Sequence, residues 1–304
     1  MSALTNLSDD LGNAVATAAR SVVTVHGGRR FGASGVLWRP GVVVTTDHAL
    51  EQDEEIGVTL PDGTRVAARL AGRDGSTDLA ILKIDSAAAQ VAERAPSDAL
   101  RIGHVVIAVA RPGGDGPSAS MGVMSALSDS WTTWRGGRVD RFIRADLTLY
   151  PGFSGGPLVD AAGRLIGINT SGLTRHWSVA LPPSTVDRVA DALLTKGRIA
   201  RGYLGVGLQP VRVPESIART LQLARTGGAI VVAVEPGSPA DRSGVMIGDV
   251  LVGIDGSAVS DVEDVHGLLG PDKVGSQSSL RVIRAGALTQ VSVTIGERAG
   301  SDDE

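Results

Sequence analysis

A chain of 304 residues, 42% hydrophobic and 20% charged, is long enough for about two globular cores and too apolar to be disordered. Its formal charge of −4 carries no basic surplus for phosphate contacts, so nucleic acid is excluded as a main partner. It has no cysteine, which excludes disulfides, Cys-type zinc sites and a cysteine nucleophile; no metal site, nucleotide motif or other cofactor is expected.

The N-terminus lacks a basic segment followed by an apolar run, so it does not read as a secretory signal. Nor does any stretch of about 18 apolar residues read as a membrane span. A cytoplasmic location is the expectation on that basis. Residues 8–20 predict a short helix capped by Ser8, with acidic residues in its first turn. Short Val-, Ile- and Leu-rich runs then predict strands at 21–26, 33–38, 41–46, 56–60, 64–72 and 78–84. Six more follow at 104–109, 120–127, 140–145, 157–160, 164–170 and 176–180. Turns such as Pro61-Asp62-Gly63 and Ala161-Ala162-Gly163 separate them. Strands at this density, with no helices between, predict an antiparallel all-β unit, enough for two six-stranded barrels.

The pattern changes at Pro182-Pro183. Ser184 through Lys196 reads as a helix, with Ser184 as cap and Asp187 in capping-box position. Val186, Val189, Ala190, Leu193 and Leu194 share one face, and Gly197 can end the helix. The first domain is therefore placed at 1–197 and a linker at 198–201. From 202 to 297, β runs at 203–208, 228–234, 249–254, 278–284 and 288–295 alternate with helical stretches at 214–223 and 261–269 and a turn at 238–243. That is a small α+β domain, followed by an acidic tail, 298–304, expected to be disordered.

Three stretches of the first domain bear chemistry. Val42 to Ala49 puts His48 at the end of an apolar strand. Ser76 to Leu82 puts Asp78 at the mouth of another. Pro151-Gly152-Phe153-Ser154-Gly155-Gly156-Pro157 puts Ser154 in a tight glycine turn. Acyl transfer at neutral pH needs these parts together. A serine hydroxyl is a weak nucleophile until an imidazole accepts its proton. The imidazole needs a carboxylate to fix its tautomer. The oxyanion needs two converging N–H donors, which Gly152 and Ser154 can supply, while Phe153 contributes its backbone. Each piece alone is weak; the order His, Asp, Ser inside a strand-rich half is what carries weight.

Gly152 to Gly156 also satisfies G-x-S-x-G, the nucleophile elbow of α/β hydrolases. That elbow needs a helix after the serine and a histidine downstream of it. Here a hairpin follows and His48 lies upstream, so the elbow reading fails on both counts.

Together these stretches resemble the HtrA (Deg) serine proteases, from about residue 20 to residue 297. Gly32 to Val36, Gly122 to Leu127, Ala145-Asp146 and Gly167 to Thr170 add to the resemblance. It implies a chymotrypsin-like pair of barrels and a serine endopeptidase in which His48 is the general base, Asp78 orients it and Ser154 attacks. It also implies ATP-independent action on unfolded or damaged polypeptides. Two positions depart from the family: Phe153 stands where Asn is usual, and Asp47 where the pair before the histidine usually ends in Asn. Asp47 is a rival carboxylate, set aside because adjacent strand residues point to opposite faces. Thr148 stands where trypsin-like relatives carry an acidic specificity residue. Ile168, with Asn169 and Thr170, is expected to line the specificity pocket, favouring small or medium aliphatic residues before the cut bond.

The second domain resembles the family's PDZ unit. Tyr203-Leu204-Gly205-Val206 matches its carboxylate-binding loop, which would nest a chain-terminal carboxylate. Glu235 to Ala240, Gly244-Val245 and Gly248 to Leu251 match the rest of its signature. A helix carrying Val262, Val265, His266 and Leu269 would flank the groove for C-terminal peptides, with Val262 and His266 as its contacts. Family members are usually trimers through the protease domain. The resemblance implies a homotrimer, although the aromatic N-terminal residues that often build it are absent here, Phe31 being the first aromatic. The rival function is a proteolytically silent, chaperone-like protein that binds peptides through the PDZ domain.

Overall fold

The computed structural model describes residues 2–28, 32–86, 90–96, 100–113, 116–174, 177–200, 202–270 and 273–297. Phe31, Arg201 and the tail 298–304 lie outside them. The chain divides into two compact units, 1–133 with 138–199, and 200–304 with 134–137.

The first unit opens with α1 (Ala3–Ala19). Its start lies upstream of the expected 8–20, because the Ser2 side chain caps it by accepting from the Thr5 N–H, leaving Ser8 inside the helix. Six strands follow: β1 (Val22–His26), β2 (Ala33–Arg39), β3 (Val42–Thr45), β4 (Gly57–Thr59), β5 (Arg65–Asp74) and β6 (Leu79–Ile84). They close into an antiparallel barrel in the order β1-β2-β3-β6-β5-β4. Next come β7 (Val105–Ala110), β8 (Ser118–Ser128), β9 (Trp131–Thr132), β10 (Arg138–Val139), β11 (Phe142–Asp146), β12 (Pro157–Asp160), β13 (Leu165–Thr170) and β14 (Val179–Leu181). Two of these, β9 and β10, pair as a small ribbon that hydropathy does not reveal, since each is two residues long. The other six form a sheet ordered β11-β8-β7-β12-β13-β14, and its end strands approach within 8 Å between Cα atoms.

Burial explains why β2, β3 and β6 each carry an apolar run, at 36–38, 42–44 and 79–82. Leu37, Val43 and Leu82 fill the interior of the first barrel. Their neighbours Val36, Trp38, Val44 and Ile81 face outward into a second core, shared with β13, β14 and helix α2 (Pro183–Lys196). A strand buried on both faces loses the polar alternation of a surface strand. Within α2, Val186, Val189, Ala190 and Leu193 are the buried apolar positions and Gly197 ends the helix in the left-handed region at φ 72°. The expected Ser184 cap is not formed. Pro182 is the N-cap and Pro183 occupies the first turn, a position that needs no N–H.

Asp187 does not make a capping box either. Its carboxylate accepts from Trp38 Nε1 at 2.8 Å, from Arg39 at 3.1 Å and from Arg94 at 2.6 and 3.0 Å. Burial pushes its pKa up, but the hydrogen bonds from Arg94, Trp38 and Arg39 together outweigh burial and hold it below the ordinary value. A lowered folded pKa confers stability that is present above the unfolded value and is lost as pH falls through the folded one. Asp187→Asn should therefore lower the melting temperature at neutral pH, and should shrink the further fall seen between about pH 5 and pH 2. Thermal melts of both proteins across that range test this.

The second unit contains β15 (Gly202–Tyr203), β16 (Val206–Arg212), α3 (Glu215–Thr220), β17 (Gly227–Val234), α4 (Pro239–Arg242), β18 (Val250–Ile254), β19 (Ser257–Ala258), α5 (Val262–Leu268), β20 (Gln277–Arg284), β21 (Ala287–Thr294) and β22 (Gly296–Glu297). Its main sheet runs β16-β17-β18-β20-β21, so β16 is an edge strand. One core joins Leu204, Val231, Leu251, Val265, Leu280 and Val293. Asp249, 1% exposed, is paired by both arms of Arg284 at 2.8 and 2.7 Å and accepts the Met246 N–H at 2.8 Å. That gives the Gly248-Asp249 step its structural reason: the carboxylate ties the turn before β18 to β20.

Candidate active site

Three elements deliver the expected residues to one cleft. β3 ends at Thr45, and a 3-10 turn, Asp47–Ala49, lifts His48 off the strand. Asp47 is thus not on the strand, as the sequence reading supposed. Its carboxylate lies 2.8 Å from Arg73 Nε, which occupies it away from the histidine. Asp78 stands before β6 in the left-handed region, at φ 56°. Asp74 shapes that loop by accepting from the Ser76 N–H at 3.1 Å, the Ser76 hydroxyl at 2.6 Å and the Thr77 hydroxyl at 2.7 Å. Asp78 itself is 2% exposed. One carboxylate oxygen accepts the His48 backbone N–H at 3.0 Å, and the other lies 2.7 Å from His48 Nδ1. The Thr170 hydroxyl donates to that second oxygen as well.

Ser154 sits in the turn between β11 and β12. Gly152 takes φ 84°, a conformation open to glycine, and the Phe153 N–H donates to the Tyr150 carbonyl at 3.0 Å. Among the described residues, the N–H groups of Gly152 and Ser154 donate to no protein acceptor. Phe153 does more than lend its backbone. Its ring is buried in the core of the second sheet with Met124, Ile143, Leu158 and Ile166, and meets Tyr150 edge-on at 5.6 Å. An apolar anchor thus holds the turn where the family usually has Asn.

His48 and Ser154 line one open cleft of about 510 Å³, together with Gly32, Ala33, Ala49, Glu51, Leu149, Tyr150, Pro151, Gly152 and Ser171. The Ser154 hydroxyl bonds the Ser171 hydroxyl at 3.2 Å; among the described residues it makes no bond to His48.

The expected specificity residues are placed differently. Ile168 is fully buried in the core shared with α2 and does not line the cleft. Thr170 is spent on Asp78, and Thr148 is exposed outside the cleft lining. Asn169 is buried and exchanges backbone bonds with Gly155 and Gly156 at 2.9 Å each, splinting the turn from β13. The apolar wall is instead Leu149, Tyr150 and Pro151.

Sequence reasoning missed Ser171 and Gly172. The signal was the Thr-Ser-Gly that ends β13. A Cβ on Gly172 would lie 2.6 Å from Asp78 Oδ2 and 2.8 Å from His48 Nδ1, so only glycine lets the chain pass over the pair. Gly172→Ala must push that pair apart. A displacement of about 1 Å can cost about 100-fold in rate, so kcat/KM on a peptide substrate should fall by at least that, with the melting curve little changed.

In the second unit, Tyr203 ends β15, Leu204 is buried, Gly205 takes φ 77° and Val206 opens β16. A Cβ on Gly205 would lie 2.2 Å from the Ser238 Cβ, so the loop requires glycine. The Tyr203 hydroxyl donates to Glu235. On α5, Val265 and, just past its end, Leu269 belong to the core; Val262 is half-buried against it and His266 is exposed.

A chymotrypsin-type pair of six-stranded sheets with a His–Asp–Ser cleft, joined to a PDZ-type unit, defines the class: a trypsin-like serine peptidase fold. The sequence pattern of the trypsin-like peptidase domain matches residues 33–168, and that of the PDZ domain matches 202–295. A "Probable periplasmic serine endoprotease DegP-like" of Brucella suis is 36% identical over 271 residues, covering 87% of this chain and 52% of that protein. One of the same description from Halomonas elongata is 34% identical over 274 residues, covering 88% and 57%. The chain thus spans about half the length of the curated relatives it matches. Among solved structures, the HtrA-type protease AlgW with decapeptide superposes with a TM-score of 0.74 at 30% identity, covering 95% of this chain and 99% of that one. The same protease with tripeptide gives 0.73 at 32% identity, covering 96% and 98%. The chain belongs to the HtrA family of serine proteases. Its relatives' names place them in the periplasm, against the cytoplasmic expectation. Among the described residues no helix is long and apolar enough to cross a membrane.

Proposed function

We propose that this chain is an ATP-independent serine endopeptidase acting on unfolded or damaged polypeptides. The observation that carries the reading is the 2.7 Å contact between His48 Nδ1 and the buried Asp78 carboxylate, in the cleft that holds Ser154. That contact assigns the proton to Nδ1 and leaves Nε2 as the base. Ser154 turns its hydroxyl from Ser171 to Nε2, a rotation that side chains at a surface make in picoseconds to nanoseconds. It attacks the scissile carbonyl while His48 takes its proton. The Gly152 and Ser154 N–H groups receive the oxyanion, and His48 returns the proton to the leaving amine. Asp78 stabilises the imidazolium and Thr170 steadies Asp78. The apolar wall favours an aliphatic residue before the cut bond.

The PDZ unit binds C-terminal peptides. β16 offers an unpaired edge to which a peptide strand can add, with its carboxylate at the Tyr203–Val206 loop and Val262 and His266 as flanking contacts. The two AlgW structures, named as peptide complexes, support this reading. A homotrimer is the assembly we propose, and the periplasm the compartment, following the relatives' names.

The test is casein incubated with the wild-type protein and with Ser154→Ala. Cleavage by the first alone supports the proposal. Equal cleavage by both contradicts the role of Ser154, and peptide binding without cleavage by either favours a silent, chaperone-like binder.

A further inference from the structure

The first barrel grips the nucleophile turn through one side chain, Ser34 on β2, which is 0% exposed. Its hydroxyl donates to the Gly152 carbonyl at 2.6 Å and accepts the Arg111 N–H at 2.9 Å. Its own N–H donates to the Ser154 carbonyl at 3.3 Å, and its carbonyl accepts the Thr45 hydroxyl at 2.8 Å. Arg111 is itself fixed: its guanidinium is buried and donates to the Val22 carbonyl at 3.1 Å. Both carbonyls that flank Phe153 are therefore tied to a single buried residue in a rigid setting.

Peptide planarity turns this into a statement about the oxyanion donors. The Gly152–Phe153 peptide is a rigid plane. Its N–H is held by the Tyr150 carbonyl at 3.0 Å and its C=O by the Ser34 hydroxyl at 2.6 Å, so it is pinned at both ends. The next plane, Phe153–Ser154, is held at its C=O by the Gly156 N–H at 3.1 Å. With these planes fixed, the Ser154 N–H has one direction. The Gly152 N–H belongs to the preceding plane, which joins the pinned one through the glycine at φ 84°.

We propose that Ser34 is the positioning residue of the oxyanion turn: it touches no substrate, but it pins the segment that carries the Gly152 and Ser154 donors. The proposal rests on the proteolytic reading above. Removing an oxyanion donor outright costs about 100- to 1000-fold in kcat. Loosening the plane that aims the donors costs less, and the expected loss in Ser34→Ala is about 10- to 100-fold.

The test compares Ser34→Ala and Ser34→Cys with the wild-type protein on a fluorogenic peptide built around a mapped casein cleavage site. A thiol leaves no void but is a weak donor, so the cysteine variant removes the hydrogen bond without opening a cavity, though its larger sulfur presses on its neighbours. Both variants should lose the same factor in kcat, with KM and the pH midpoint of kcat unchanged, since His48 and Asp78 are untouched. A peptide boronate, which mimics the tetrahedral adduct, should bind more weakly by that factor, while the cleaved product peptide binds as before. A merely structural role gives another pattern: activity tracks melting temperature, Ser34→Cys resembles wild type, and the boronate loses no more than the product peptide does. That pattern, or unaltered kcat in both variants, overturns the proposal. A wild-type protein that cleaves nothing and binds no boronate overturns the proteolytic reading first and this one with it.

Discussion

Ser154→Ala and His48→Ala should each lower kcat by about 10⁶-fold, and the double variant should lose no more than either single one. The two side chains act as one unit. Without the imidazole the hydroxyl is not activated, and without the hydroxyl the imidazole has no proton to move. What remains in all three variants is the contribution of binding and of the Gly152 and Ser154 donors, so residual rates about 10³- to 10⁴-fold above the uncatalysed reaction are expected. Single-turnover cleavage of a fluorogenic peptide checks both the size and the non-additivity. Losses that multiply in the double variant would mean that the two residues serve separate steps.

Asp78→Asn should lower kcat by about 10⁴-fold at neutral pH with little change in fold. The Asp78 oxygen now fixes the His48 tautomer from 2.7 Å and also accepts the Thr170 hydroxyl. An amide at this site can present N–H to Nδ1, which selects the tautomer with the proton on Nε2 and removes the base. Asparagine is the right substitution because position 78 sits at φ 56°, a region that Asn visits readily and alanine does not. Asp78→Ala would mix backbone strain with the loss of charge. Steady-state kinetics and a thermal melt on Asp78→Asn separate the two effects: a large fall in kcat with a near-native melt is expected, and parallel losses of both would count against an orienting role.

Most of the architecture was legible because its signals are local. The runs at 42–44 and 79–82 are apolar throughout because both faces are buried, and turn residues set the strand ends. His48 and Asp78 could be chosen because each sits at the edge of such a run, and Ser154 because it sits in a tight glycine turn. The misses concern side-chain direction and partners distant in sequence. Ile168 and Thr170 share one face of β13, yet one enters the core and the other reaches Asp78; strand periodicity gives the shared face but not its neighbours. Asp187 reads as the capping-box partner of Ser184, and what it binds is Trp38, Arg39 and Arg94, far away in sequence. Helix α1 was placed too far downstream because Ser8 is as good a cap by type as Ser2, and only the Ser2–Thr5 bond decides between them. Ser34 carried no catalytic signal at all, since its importance lies in a bond across 118 residues to Gly152.

The most direct test of the central assignment is covalent. A peptidyl phosphonate diester with a valine-like side chain at the reactive position is incubated with the protein, which is then digested and mapped by mass spectrometry. The expected result is a single adduct on Ser154 that disappears in His48→Ala. An adduct on another serine, or labelling of Ser154 that persists without His48, would contradict it.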